Sequence, residues 1–217
     1  KDAMKDAEPS LRQYVGQMNH YWGDQPFTAG PVYAGAIIMF LFLIGCFVVK
    51  GPIKWACIVA SILSLLLSWG HNFMPLTEWF VNNVPLYDKF RTVSSILVVA
   101  EFAIPLLAAL ALKEILTSPQ VLKTSMRKIY LPLTLTAGVA LLFAIMPEVF
   151  FNFLSQQEEQ MAISQPEYQM IFDELEEVRK SIFTADAWRT FFFVILSAVL
   201  ILLFVNKKVT TRIFVVA

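Results

Sequence analysis

Five apolar runs, each close to the thickness of a bilayer, constrain this chain more than any other feature. They cover residues 31–49, 53–70, 93–112, 129–147 and 188–206, and a sixth begins near Ile213. A membrane-spanning helix needs about 20 mostly apolar residues. A soluble domain of this length would have to bury nearly all of that surface. Only 16% of the residues are charged and 57% are hydrophobic, whereas soluble domains carry roughly 25% charge.

The connections between the runs alternate in charge. The turn 50–54, the loop 113–128 and the tail 207–212 hold Lys50, Lys54, Lys113, Lys123, Arg127, Lys128, Lys207, Lys208 and Arg212 against one acid, Glu114. Segments 1–30, 71–92 and 148–187 hold fifteen of the 17 acids and seven basic residues. Lys and Arg resist translocation, so the basic loops are expected in the cytoplasm and the acidic segments outside. Five buried helices of a soluble protein would not produce this alternation. Tyr33, Trp55, Trp69, Trp79, Tyr87, Tyr130 and Trp188 lie near the run ends, the depth that amphipathic rings favour.

The expected fold is therefore all-α: a polytopic membrane protein with about five transmembrane helices and an outer amphipathic helix. Its parts are an extracytoplasmic segment 1–30, a four-span unit 31–147 with outer loop 71–92, an extracytoplasmic loop 148–187, and a fifth span with the start of a sixth in 188–217. The chain opens on Lys1 and stops within IFVVA, which reads as a piece of a longer protein. The net charge is zero, so the charge balance gives no reason to expect a nucleic-acid partner. Cys46 and Cys57 sit in apolar runs and read as packing residues.

The outer loop 148–187 contains SQPEYQMIFDELEEVRKSIF. Ser164 and Glu167 have capping-box spacing, with Pro166 near the first turn. Ile171, Leu175, Val178 and Ile182 recur at helical spacing. The expectation is an amphipathic helix lying on the membrane or on neighbouring helices, with its acids as a solvated face.

Loop 71–92 gathers His71, Glu78, Asp88, Lys89 and Arg91 among aromatics, at the mouth of the third run. LTEWFVNNV reads as a short interfacial helix ended by Pro85. Arg91 and Lys89 carry donors suited to phosphate near a helix N-terminus; interface anchoring, or a local pair with Asp88, is the competing role. Glu101 falls about 12 Å along the third span, counted from Val93. A carboxylate at that depth is costly and normally turned inward for function. Pro105 frees the Glu101 carbonyl and favours a kink. An outward-opening polar cavity is one reading; a protonated carboxyl bonded to a neighbouring helix, near Thr134 or Thr136, is the other.

The blocks YWGDQPFTAGPVYAG (21–35) and SWGHNFMPLTEWFVNNVPLYDKFRTVSSILVVAEF (68–102) resemble the YfhO family of bacterial membrane proteins, most nearly its Bacteroides-type versions. The resemblance runs along the chain but spans a middle portion of a longer architecture. It implies part of a GT-C-like glycosyltransferase in the bacterial cytoplasmic membrane. Such an enzyme moves a sugar from a polyprenyl-phosphate carrier to an envelope glycan or lipid acceptor on the outer face. The carrier phosphate would rest on Arg91 and Lys89, with Asp88 orienting them and His71 approaching from the neighbouring span. No residue here matches the family's catalytic acid: Asp24 precedes the first run instead of following a first span, so the base is unknown. The chemistry that the resemblance implies has cations or a divalent metal holding the leaving phosphate. The alternatives are a transporter or lipid flippase gated by Glu101, and a non-catalytic scaffold for envelope polymer assembly.

Overall fold

The computed structural model describes residues 16, 33–85, 87–89 and 93–209, and all the regular secondary structure among them is helical. The chain divides into two units. One comprises Gly30–Thr136 with Phe193–Ala217; the other comprises Lys1–Ala29 with Ala137–Phe192.

In the first unit, α1 (Ala36–Val48) is apolar throughout and follows Gly35, whose φ of 77° suits glycine. The turn after it uses Gly51 at φ 98°, and Pro52 then opens α2 (Pro52–Ser68), where its missing N–H costs no helical bond. α3 (Met74–Asn83) ends at Val84, one residue before Pro85, as expected from the sequence. A 3₁₀ turn, Val93–Ile96, leads into α4 (Leu97–Thr117). Pro105 does not break α4, which runs on for three further turns.

The buried stripe of α4 is Ala100, Ala103, Ile104, Leu107, Ala108, Ala111 and Ile115, at spacings of three and four. α1 and α2 both pack on α4, and its small side chains admit them closely. A Cβ on Gly45 would lie 2.9 Å from the Leu107 carbonyl oxygen and 3.3 Å from Ala111 Cβ. Cys46 and Cys57 are free thiols within this apolar cluster, which accords with their packing role. The short α5 (Gln120–Lys123) leads to α6 (Arg127–Leu133), which packs on α1 through its own end of the unit.

After α6 the helix widens into a π segment, Thr134–Gly138, and continues as α7 (Val139–Ile145). Pro132 accounts for the disturbance: it lacks an N–H, and its ring crowds the carbonyl four residues back. The Thr134 and Thr136 hydroxyls donate to the Tyr130 and Pro132 carbonyls of their own helix, and no hydrogen bond joins either to Glu101.

In the second unit, α8 (Pro147–Phe150) and an extended stretch lead to α9 (Gln156–Ser164). α10 (Pro166–Val205) then runs unbroken for 40 residues. Two expectations are corrected here. The capping box is Ser155–Glu158 at the start of α9, not Ser164–Glu167. Ser164 belongs to the last turn of α9 and donates to the Gln160 carbonyl. The outer amphipathic stretch is also not a separate surface helix but the first half of the helix whose second half is the 188–206 run. No Pro or Gly interrupts 167–205, so a change of polarity alone does not end the helix.

Two helices, Arg127–Ile145 and Tyr168–Val205, are long and apolar enough to cross a membrane. α1 and α2, with 13 and 17 residues, reach about 20 and 26 Å, short of a ~30 Å hydrocarbon core. α4 has the length, but every 18-residue window in it contains Glu101, Lys113 and Glu114.

Candidate functional site

The residues expected to hold a carrier phosphate fall at the edge of the described structure. Arg91 lies outside the described residues, as do Asp24 and the Ile213 run. His71 sits in the 3₁₀ turn Gly70–Phe73 and Asp88 in the turn Tyr87–Lys89, but their side chains are outside what is described. Lys89 is exposed in that same turn, a few residues before α4. Phe80 and Tyr87 pack together, ring centroids 5.5 Å apart, so the turn is pinned to the end of α3.

Glu101 is exposed. It shares the outer face of α4 with Val98 (63% exposed) and Phe102 (72% exposed), opposite the alanine stripe. The inward orientation expected for it is not what the fold produces, because Ala100, Ala103 and Ile104 occupy the inward positions.

The strongest polar constellation among the described residues lies in the second unit. Arg179 is 1% exposed, on the face of α10 that also buries Phe172, Leu175 and Val178. Its Nη1 donates to Glu158 Oε2 at 2.8 Å and its Nη2 to Glu158 Oε1 at 2.9 Å. Nη1 also donates to the Phe153 carbonyl at 2.8 Å. This is the flat, two-pronged match of guanidinium to carboxylate. Glu158 Oε2 further accepts from the Ser155 amide at 2.8 Å and the Ser155 hydroxyl at 3.0 Å. Burial pushes the Glu158 carboxyl up, but hydrogen bonds from Arg179 and Ser155, with the Arg179 charge, outweigh it and hold its pKa below the usual value. One carboxylate thus ties together the start of α9, the loop before it and α10.

A second tie lies beside the first: Lys180 bonds to Glu148 and lies 3.6 Å from Glu177. Phe143, Phe150, Phe151, Phe153 and Phe183 form a continuous aromatic cluster with centroid separations of 4.9–5.9 Å. An open groove of about 550 Å³ is lined by Glu148, Val149, Phe150, Phe151, Asn152 and Glu176. Burial raises the Glu176 pKa, and the charges of Glu177, Asp173 and Glu148 add to the shift, with Lys180 opposing.

The sequence did carry a signal for Arg179: it falls four residues after Leu175 and three before Ile182, on the stripe of the apolar residues. A charge at a core position calls for a partner. Chemically the cluster is a clamp. The Arg179 donors named above are directed at protein oxygens, which suits bracing better than ligand capture. Among the described residues no three His, Cys, Asp or Glu side chains are grouped to hold a metal ion.

No family model, curated protein or solved structure matches the chain.

Proposed function

We propose that this chain is the membrane-embedded part of a multi-pass envelope protein that handles a polyprenyl-phosphate-linked sugar on the extracytoplasmic face. The observation that carries the membrane reading is the exposure of its apolar helices. In both helices of membrane-crossing length, only 28% of the apolar window is buried. Leu131, Leu135, Val139, Leu142 and Ile145 on one, and Phe192, Phe193, Leu196 and Val199 on the other, face outward. The core helix of a soluble protein hides such residues; a lipid-facing helix exposes them. The loop charges supply the orientation, basic side inward. On this reading the five apolar runs all reside in the bilayer, with the shorter α1 and α2 held against α4.

The transferase reading rests on the resemblance of the 21–35 and 68–102 blocks. The placement of Lys89 in a short turn just before α4 supports it, since a carrier phosphate would sit at that depth while its isoprenoid tail lies among the helices. The groups proposed to meet the phosphate are Arg91 and Lys89, with Asp88 and His71 beside them. The reaction would be sugar transfer with a base activating the acceptor hydroxyl and cations holding the leaving phosphate. The test is binding and transfer with a radiolabelled polyprenyl-phosphate sugar in membranes containing the intact protein. Arg91→Ala is expected to abolish carrier binding while insertion is unchanged; retained binding would remove the phosphate role.

A further inference from the structure

Glu101 presents a physical conflict once the chain is placed in a bilayer. It lies roughly two turns into the third run, on a face otherwise made of Val98, Phe102 and Leu106, all exposed. No described residue hydrogen-bonds to it: the hydroxyls nearest in expectation, Thr134 and Thr136, are spent on their own helix. A carboxylate facing acyl chains at that depth costs a few kcal/mol on insertion scales and more in simulations. Such groups turn toward protein and pair with a complementary group. α4 cannot turn Glu101 inward, because the opposite face is the alanine stripe against which α1 and α2 pack.

Resting on the membrane reading above, we propose that the Val98–Glu101–Phe102–Leu106 face of α4 is the docking surface for a further transmembrane helix that presents a Lys or Arg at the depth of Glu101. The chemistry selects this occupant. Lipid tails offer no donor. A second copy meeting the same face about a two-fold axis would bring Glu101 against Glu101. A purely apolar helix would leave the carboxylate desolvated without a partner. A cationic helix satisfies the carboxylate, and the apolar flanks at positions 98, 102 and 106 supply the i, i+4 contacts on either side of it.

The test uses the full chain, fluorescently labelled, in phosphatidylcholine vesicles with brominated acyl chains. Quenching of its tryptophans reports insertion. Energy transfer is then measured to two synthetic transmembrane peptides, a polyleucine helix and the same helix with one Lys placed two turns from its end. The inserted chain is expected to associate with the Lys peptide at least tenfold more tightly than with the all-Leu peptide. Glu101→Gln is expected to shrink that ratio below twofold. Equal association with both peptides, or a preference that survives Glu101→Gln, overturns the proposal while leaving the membrane reading intact. Self-association of the chain that depends on Glu101 overturns it in favour of a second copy. Tryptophans that escape quenching show the chain outside the bilayer and remove both readings.

Discussion

Arg179 of α10 and Glu158 of α9 are joined by two parallel hydrogen bonds of 2.8 and 2.9 Å, with the arginine side chain only 1% exposed. The same guanidinium holds the Phe153 carbonyl, so α10 is tied both to α9 and to the loop just before it.

Removing one partner of this pair is expected to be severe. Arg179→Met leaves the part-buried Glu158 without its cation and should destabilise the unit by about 1–3 kcal/mol, the usual cost of leaving such a group without its hydrogen-bond partner. The double variant Arg179→Met with Glu158→Met should recover much of that loss, because no unpaired charge remains. Hydrogen exchange of the α9 amides in detergent or nanodiscs reads both; equal damage in single and double variants would argue against the pair as the clamp.

The same pair gives acid sensitivity with a defined sign. The folded Glu158 pKa lies below its unfolded value, held down by Arg179 and Ser155 against the effect of burial. Its contribution is therefore fully present above the ordinary carboxylate range and is lost as pH falls through the lowered folded value. α9 protection should hold from pH 7 to about 5 and fall below the ordinary carboxylate pKa of about 4.5. Glu158→Gln should already be weakened at pH 7 and show a flatter profile.

Glu176 has the opposite sign. Burial, with Glu177, Asp173 and Glu148 nearby, raises its pKa, so its charged form opposes folding and the penalty grows as pH rises through the raised value. Glu176→Gln is expected to stabilise the unit at pH 7 by roughly 0.2–0.5 kcal/mol, the scale of one like-charge contact on a helix. A thermal scan of the purified protein at pH 7 checks the direction.

Gly45 is fixed by crowding. A Cβ there would stand 2.9 Å from the Leu107 carbonyl oxygen, which belongs to a helix backbone and cannot swing aside. Gly45→Ala should cost about 1–3 kcal/mol, as overpacking does, and separate α1 from α4. Hydrogen exchange of the α1 amides, compared before and after the substitution, reports that loosening.

Much of this fold was legible because apolar runs and helix punctuation are local signals. Each of the five runs coincides with helix, Pro85 sits just past the end of α3, and Pro52 opens α2. What escaped the sequence depends on register or on distant partners. The S-x-x-E pattern occurs twice, and only Ser155–Glu158 forms the box. With Pro166 as the first helical residue, Ser164 falls one position too early to cap. The junction near residue 187 was expected to be a boundary because polarity changes there, yet TADAW offers the backbone no reason to stop. Arg179 was counted among outward basic residues because its partner lies 21 positions earlier. The facing of Glu101 followed from which side of α4 holds its alanines, a question of helix packing and not of insertion cost.

Every functional role proposed above depends on a membrane placement with the 71–92 loop outside. Single cysteines introduced at Asn83 and at Thr124, in a background with Cys46 and Cys57 replaced by Ala, can be labelled in intact cells with a membrane-impermeant maleimide. Rapid labelling is expected at position 83, with labelling at position 124 only after the membrane is opened. The reverse pattern, or equal labelling of both sites in intact cells, would contradict it.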